Sequence, residues 1–375
     1  MSVPPEFTGG DASSAYPIVG AVAVDGRAPS IWDTFAHQPG RVFENHHGDV
    51  ACDHYRRYPE DIALMRDLGV SAYRFSFAWP RLLPGGTGRA NEAGLAFYDR
   101  LIDGLLAAGL TPWVTLFHWD LPQALQDRGA WGNRDSVEWF GEYAALVAAR
   151  YGDRVKHWIT INEPTVAIGL GYYEGIFAPG LRLPFRDCLQ AAHHLLMAHG
   201  RGVQALRAGC RGPVNISLAL TGRERIPATE AAADREAARR DYFDCPAGAV
   251  ETLAWWGDPV YLGRYPEAGL RNFGADVPAH TDADLKLIAQ PLDFIGYNCY
   301  SGWPVRAGAG ARRLGSGQRP RDPALAPCRA GGDLLGGEIP DGALRRPALR
   351  HHGERLLRLR FRPPRRPRPR SAAHG

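Results

Sequence analysis

The chain has 375 residues, 45% of them hydrophobic, with ten Trp and 14 Tyr, a length normal for one α/β barrel with insertions and an apolar content that supports a large core. The formal charge of +4 hides two compositions: residues 343–375 hold 11 Arg and one acid, Glu354, a surplus of +10, so residues 1–342 carry −6. No basic start with an apolar run opens the chain, no stretch approaches the ~18 apolar residues of a membrane span, and the six Cys (52, 188, 210, 245, 299, 328) show no C-x-x-C spacing. These features argue against a secreted disulfide scaffold, a zinc module and a membrane protein. They lead us to expect buried thiols and a soluble, cytoplasmic chain.

In chain order, a first strand is expected near Tyr16–Val24, then strands at Ala72–Ala78, Pro112–His118, Lys156–Asn162, Val214–Leu220 and Leu292–Asn298. Each run is short and rich in β-branched or aromatic residues. Helical patterns lie between them. Asn91–Gly109 places Leu95, Tyr98, Leu101, Ile102, Leu105 and Leu106 on one face and stops at a glycine. Asp135-Ser-Val-Glu138 reads as a capping box. Arg186–Arg207 carries Leu189, His193, Leu196 and Gly200 on one stripe. Strand–helix alternation predicts parallel strands joined by right-handed crossovers. No G-x-G-x-x-G follows the first strand, which disfavours a doubly wound sheet. The fold class is therefore α/β, a (β/α)₈ TIM barrel of which about six βα units are present. Residues 1–342 form the partial barrel, and residues 343–375 an Arg/Pro-rich tail, disordered or frame-shifted.

Several strands end in Trp79, His118-Trp119, Asn162-Glu163 and Asn298, and in a barrel such ends converge on the catalytic face. Glu163 closes an apolar strand and precedes Pro164. A carboxyl group in such a pocket keeps its proton, as a general acid must. Asn162 can donate to a sugar hydroxyl, and the aromatic excess suits stacking on sugar faces. Arg74 lies inside a buried-looking strand and needs a partner, most simply a carboxylate in the barrel mouth. Each residue also has a structural reading: a strand-end ion pair for Glu163 and Arg74, a satisfied core histidine for His118, core packing for Trp119.

The segments Ser30-Ile-Trp-Asp-Thr-Phe35, Gly48-Asp-Val-Ala-Cys-Asp-His-Tyr55, Tyr73-Arg-Phe-Ser76, His118-Trp-Asp-Leu-Pro122, Thr160-Ile-Asn-Glu-Pro164 and Gly263-Arg-Tyr-Pro266 together resemble glycoside hydrolase family one, the β-glucosidase family. The resemblance runs from about Phe7 to Tyr300, with an echo at Leu335–Gly342. It implies retention of configuration, a β-glucoside or oligosaccharide substrate, and neither cofactor nor metal. It casts Glu163 as general acid/base, His118, Trp119, Asn162 and Asn298 as substrate-binding, and Arg74 and Tyr300 as the groups that orient the nucleophile.

Two departures stand out. The family's sugar-binding Gln and the Glu two residues on fall on Pro17 and Val19. The family's Thr-Glu-Asn-Gly, which carries the nucleophile, is absent, so no nucleophile is assigned in this chain. Codons for His351–Arg355 read one base further on can encode Ile-Thr-Glu-Asn-Gly, so a frame shift is one reading of the tail. A natural basic arm that binds phosphates is another, although nucleic acid is not expected as a partner. The sequence thus leads us to expect a retaining β-glucosidase-type hydrolase, inactive or impaired as written. The alternative is a non-catalytic sugar-binding remnant or pseudogene product.

Overall fold

The computed structural model describes residues 7–222, 224–300 and 302–308. The chain divides at Leu335 into two units, and the described residues all belong to the first. The Leu335–Gly342 echo, Glu354, Cys328 and the Arg/Pro tail lie outside them.

Six strands form one parallel sheet in the order β1 (Gly10–Ala12), β2 (Ala72–Ser76), β3 (Thr111–Phe117), β4 (His157–Asn162), β5 (Asn215–Thr221) and β7 (Gly296–Asn298). The sheet curls as a partial (β/α)₈ barrel. Two further strands, β6 (Glu224–Pro227) and β8 (Gly302–Val305), make a separate parallel pair that no sequence pattern announced. The four central strands fall where their apolar runs placed them. The first does not. Tyr16–Val24 is no strand: Ala15–Ile18 is a helical turn, and the opening strand is Gly10–Ala12, paired with Ala72–Arg74. Pro17 explains the difference, since its missing N–H costs nothing in a first helical turn but breaks a β ladder.

The helix Glu92–Ala107 buries Leu95, Phe97, Tyr98, Leu101, Ile102 and Leu105. Leu106, expected on the same face, is exposed. The helix Ser136–Tyr151 starts without the expected capping box, because no cap bond forms from the Asp135 side chain. Instead the Asp135 N–H donates to Asn133 Oδ1 at 2.9 Å. Trp79, expected at the barrel mouth, belongs to the core: it is fully buried, stacks on Tyr143 and donates its indole N–H to the Gly86 carbonyl. Cys188 and Cys245 are buried, as expected, whereas Cys52 and Cys299 are exposed; both pairs and Cys210 are free thiols.

The helix Phe185–Gly209 is buried along nearly all of Cys188–Leu206. Gly200 is the point where the helix Asp282–Ile288 presses onto it: a Cβ there would sit 1.8 Å from the Leu287 carbonyl oxygen. That atom is backbone and cannot swing away. Gly200→Ala is therefore expected to cost at least the roughly 1–3 kcal/mol typical of overpacking. Gly132→Ala, whose Cβ would meet nothing within 4 Å, should be near neutral. Urea midpoints of the two variants against the parent check this.

Candidate active site

The site is assembled at the carboxyl-terminal ends of β3, β4 and β7, with Arg74 reaching in from the middle of β2. Pairing between β4 and β5 shifts register between Ile159 and Asn162, the kind of irregularity that re-aims side chains at barrel rims. Beyond it, the Glu163 N–H reaches the Ala219 carbonyl at 2.7 Å. Glu163 itself is left-handed, with φ 45° and ψ 63°. A non-glycine residue pays about 1–2 kcal/mol for that conformation, which suits a functional position. Pro164 then opens the short helix Pro164–Ile168 with its fixed φ. Trp119 is likewise left-handed, at φ 75°, and its indole N–H donates to the Asn162 carbonyl at 2.8 Å.

One hydrogen-bond chain runs through the cluster, and its polarity follows from chemistry. The Arg74 guanidinium can only donate. Its Nη2 reaches Asn162 Oδ1 at 2.6 Å, its Nη1 Asn298 Oδ1 at 3.2 Å and its Nε Thr115 Oγ1 at 3.1 Å. Those bonds fix both amide orientations. Asn162 Nδ2 must therefore donate to His118 Nε2, 3.1 Å away, which makes that nitrogen the acceptor of a neutral imidazole. Burial, helped by the positive Arg74, holds the His118 pKa down at about 3, consistent with that neutral form. Asn298 Nδ2 donates to Asn162 Oδ1 at 3.0 Å and to Glu163 Oε1. Tyr300 Oη donates to the same Glu163 oxygen at 3.2 Å.

Glu163 is 4% exposed. Burial pushes its pKa above the ordinary carboxylate range, opposed by the Asn298 and Tyr300 hydrogen bonds and by the Arg74 charge. Both donors occupy Oε1, and among the described residues no hydrogen bond reaches Oε2. The proton of the neutral form therefore belongs on Oε2.

The structure thus brings Arg74, His118, Trp119, Asn162, Glu163, Asn298 and Tyr300 into one contiguous network. Among the described residues no carboxylate lies within ion-pair distance of Arg74; two amide oxygens and a hydroxyl take its hydrogen bonds, and its charge acts on Glu163 from further off. Thr115 was not foreseen as a member; its signal was a hydroxyl within the apolar run of β3, fully buried here. Trp32 and Phe177 also went unnoticed. They extend the Trp119 ring into an aromatic run, Trp119–Phe177 at 5.9 Å, Phe177–Trp32 at 5.4 Å and Trp32–Tyr16 at 5.6 Å, a surface suited to apolar sugar faces.

Three buried histidines give the fold a pH dependence. His118 and His199 are held at about 3 and His193 at about 4, chiefly by burial. All three folded-state values lie below the ordinary histidine value near 6.5. As pH falls through that value the unfolded chain takes up protons that the folded chain refuses, so stability drops, with an upper limit of about 1.4 kcal/mol per pH unit for each group. Urea midpoints should fall steadily from about pH 6.5 to 4, with a shallower slope in His199→Gln.

A curled parallel sheet with a buried, protonatable carboxyl group held by amides, a phenol and a guanidinium at its strand ends has the arrangement that acid/base chemistry in an α/β barrel requires. The profile of Glycosyl hydrolase family 1 matches residues 1–312, and the chain belongs to that family. It is 46% identical over 306 residues to β-glucosidase A of Acetivibrio thermocellus, covering 80% of this chain and 66% of that protein. It is 43% identical over 303 residues to β-glucosidase A of Thermotoga maritima, covering 81% and 66%. A structure of the Thermotoga maritima β-glucosidase in complex with glucoimidazole matches with a TM-score of 0.73 at 43% identity, covering 80% of this chain and 66% of that one. The chain thus spans just under two-thirds of the length of these relatives. Among the described residues no helix is long and apolar enough to cross a membrane.

Proposed function

We propose that this chain carries the acid/base half of a retaining β-glucosidase site, with Glu163 as the proton donor. The observation that carries the reading is the Glu163 carboxyl group: it is buried, raised in pKa, anchored through Oε1 alone and aimed from a strand end. In the first step Glu163 Oε2 gives its proton to the glycosidic oxygen as a carboxylate attacks the anomeric carbon from the opposite face. In the second, Glu163 takes a proton from water, which displaces that carboxylate and restores the β configuration.

Such chemistry needs two carboxyl groups roughly 5–5.5 Å apart. None of the hydrogen bonds of the described network reaches a second one, and no Thr-Glu-Asn-Gly occurs in the sequence. The hydrogen bonds of Arg74 go to three neutral oxygens, those of Asn162, Asn298 and Thr115. As written, the chain is therefore impaired in the first displacement while its proton donor stands ready. The Arg/Pro-rich tail is the part whose origin decides this, and reading the gene in its other frames near codon 353 tests the frame-shift explanation. The substrate is a β-glucoside, supported by the relatives' names and by the glucoimidazole complex of the Thermotoga maritima enzyme. Free thiols at five described cysteines fit a reducing, cytoplasmic setting.

Pro17 and Val19 favour a second reading, a sugar-binding remnant, because neither can hydrogen-bond a sugar through its side chain. Titration with glucoimidazole beside a hydrolysis assay separates the two. Slow hydrolysis that depends on Glu163 supports the catalytic reading, and binding without any such hydrolysis supports the remnant.

A further inference from the structure

Away from the acid/base cluster, His37, His47 and Asp49 meet at the surface, with one ligand atom from each lying within 4.8 Å of the others. His37 caps the carboxyl end of the helix Ile31–Ala36, and its Nδ1 lies 2.7 Å from the Asp33 carbonyl oxygen. A carbonyl only accepts, so Nδ1 carries the hydrogen, and Nε2 stands 3.2 Å from Asp49 Oδ2, donating to it when the ring is protonated and free to offer its lone pair to a cation when it is neutral. A histidine tied to a backbone carbonyl through one nitrogen, with the other aimed at a carboxylate, has the orientation and tautomer of a metal ligand.

The second imidazole completes the arrangement. His47 lies parallel to His37, with ring centroids 4.8 Å apart and planes inclined by 23°. Its Nδ1 is 3.2 Å from Asp49 Oδ1. That oxygen is shielded from solvent yet accepts no hydrogen bond, so the contact has the distance of a hydrogen bond without its angle. A plain ion pair would turn the ring to close that bond. A cation between the three groups needs no such angle. Around tetrahedral zinc, with Zn–N and Zn–O of about 2.0–2.2 Å, neighbouring ligand atoms lie about 3.3–3.5 Å apart, close to the two 3.2 Å separations seen. The remaining His37–His47 separation closes by rotation of two side chains that are 49% and 44% exposed.

We propose that His37, His47 and Asp49 form a binding site for a zinc-type divalent cation, with two imidazoles and one carboxylate as ligands and the fourth position open to water. This ligand set suits Zn²⁺ and its borderline neighbours and is poor for Mg²⁺ or Ca²⁺, which prefer all-oxygen shells. The site would tie the segment 42–49 to the end of the helix Ile31–Ala36. That segment touches the aromatic run through the Gly48 N–H, which donates to Tyr16 Oη at 3.2 Å. His46 points instead to Glu44 at 3.6 Å and takes no part.

The test is a Zn²⁺ titration of the full chain, stripped with a chelator, against a chromophoric competitor, with Co²⁺ as a spectroscopic probe. The parent should bind one more Zn²⁺ than His47→Ala or Asp49→Asn, or bind it roughly tenfold or more tighter. His46→Ala should match the parent. Zn²⁺ should raise the thermal midpoint of the parent and of His46→Ala but not that of Asp49→Asn, and only the first two should give the visible bands of four-coordinate Co²⁺. Equal stoichiometry and affinity in the parent, His47→Ala and Asp49→Asn would overturn the site, as would a parent that binds no Zn²⁺. Melts recorded in chelator establish that each variant is folded, and either ligand variant alone suffices.

Discussion

Incubated with 2,4-dinitrophenyl β-glucoside, the chain is expected to release the phenol roughly 10⁴–10⁶-fold more slowly than a full-length family member, the scale of loss seen when a catalytic nucleophile is removed. Added azide should restore part of that rate. The physical reason is the division of labour at the site. The Glu163 proton is in place, whereas Arg74 is occupied by Asn162, Asn298 and Thr115 and orients no described carboxylate. Azide can enter from the face opposite the aglycone, form a bond to the anomeric carbon and expel the phenolate with its electron pair. One inversion leaves α-glucosyl azide, identifiable by NMR. Turnover comparable to that of a full-length relative without azide would show that an attacking carboxylate is already present among these 375 residues.

The second large effect concerns completion of the site. Replacing residues 313–375 with the corresponding remainder of the Acetivibrio thermocellus β-glucosidase is expected to raise hydrolysis by about 10⁴-fold or more. The graft supplies the carboxylate that Arg74 and Tyr300 would orient, and Arg74 would exchange a neutral acceptor for a charged one. Activity should return with a weak KM. Pro17 and Val19 stand where the resemblance places a hydrogen-bonding Gln and Glu, and each unmade buried bond costs about 1–3 kcal/mol. Pro17→Gln in the hybrid should therefore lower KM about tenfold with kcat little changed, the signature of a contact made equally in ground and transition states. A hybrid that folds but stays at the level of the parent chain would place the defect in residues 1–312.

Most of the sheet was legible because β2 to β5 carry dense β-branched and aromatic runs bounded by turns, a pattern that burial on both faces imposes. The opening strand was not, because Gly10-Asp-Ala12 has no apolar signal and is held by three parallel pairings to β2. The placement of Glu163 was legible for a local reason: Asn162-Glu163-Pro164 ends a strand and forces a turn. The partners of Arg74 were not, since satisfaction of a buried guanidinium is a tertiary property, and here neutral oxygens from β3, β4 and β7 provide it. The side chains of His37, His47 and Asp49 lay beyond sequence reasoning as well. Nine residues of irregular path separate the two rings, so only the folded path reveals that they stack.

The most direct measurement of the role of Glu163 uses the hybrid with Glu163→Gln, assayed on glucosides of good and poor leaving groups with and without azide. Loss of the proton donor should slow poor leaving groups by about 10²–10⁴-fold and spare good ones in the first step. Azide, which needs no base, should then intercept the covalent intermediate and give β-glucosyl azide. Equal losses across all leaving groups, or no β-glucosyl azide from a folded variant that still forms the intermediate, would contradict the assignment of Glu163 as the acid and base.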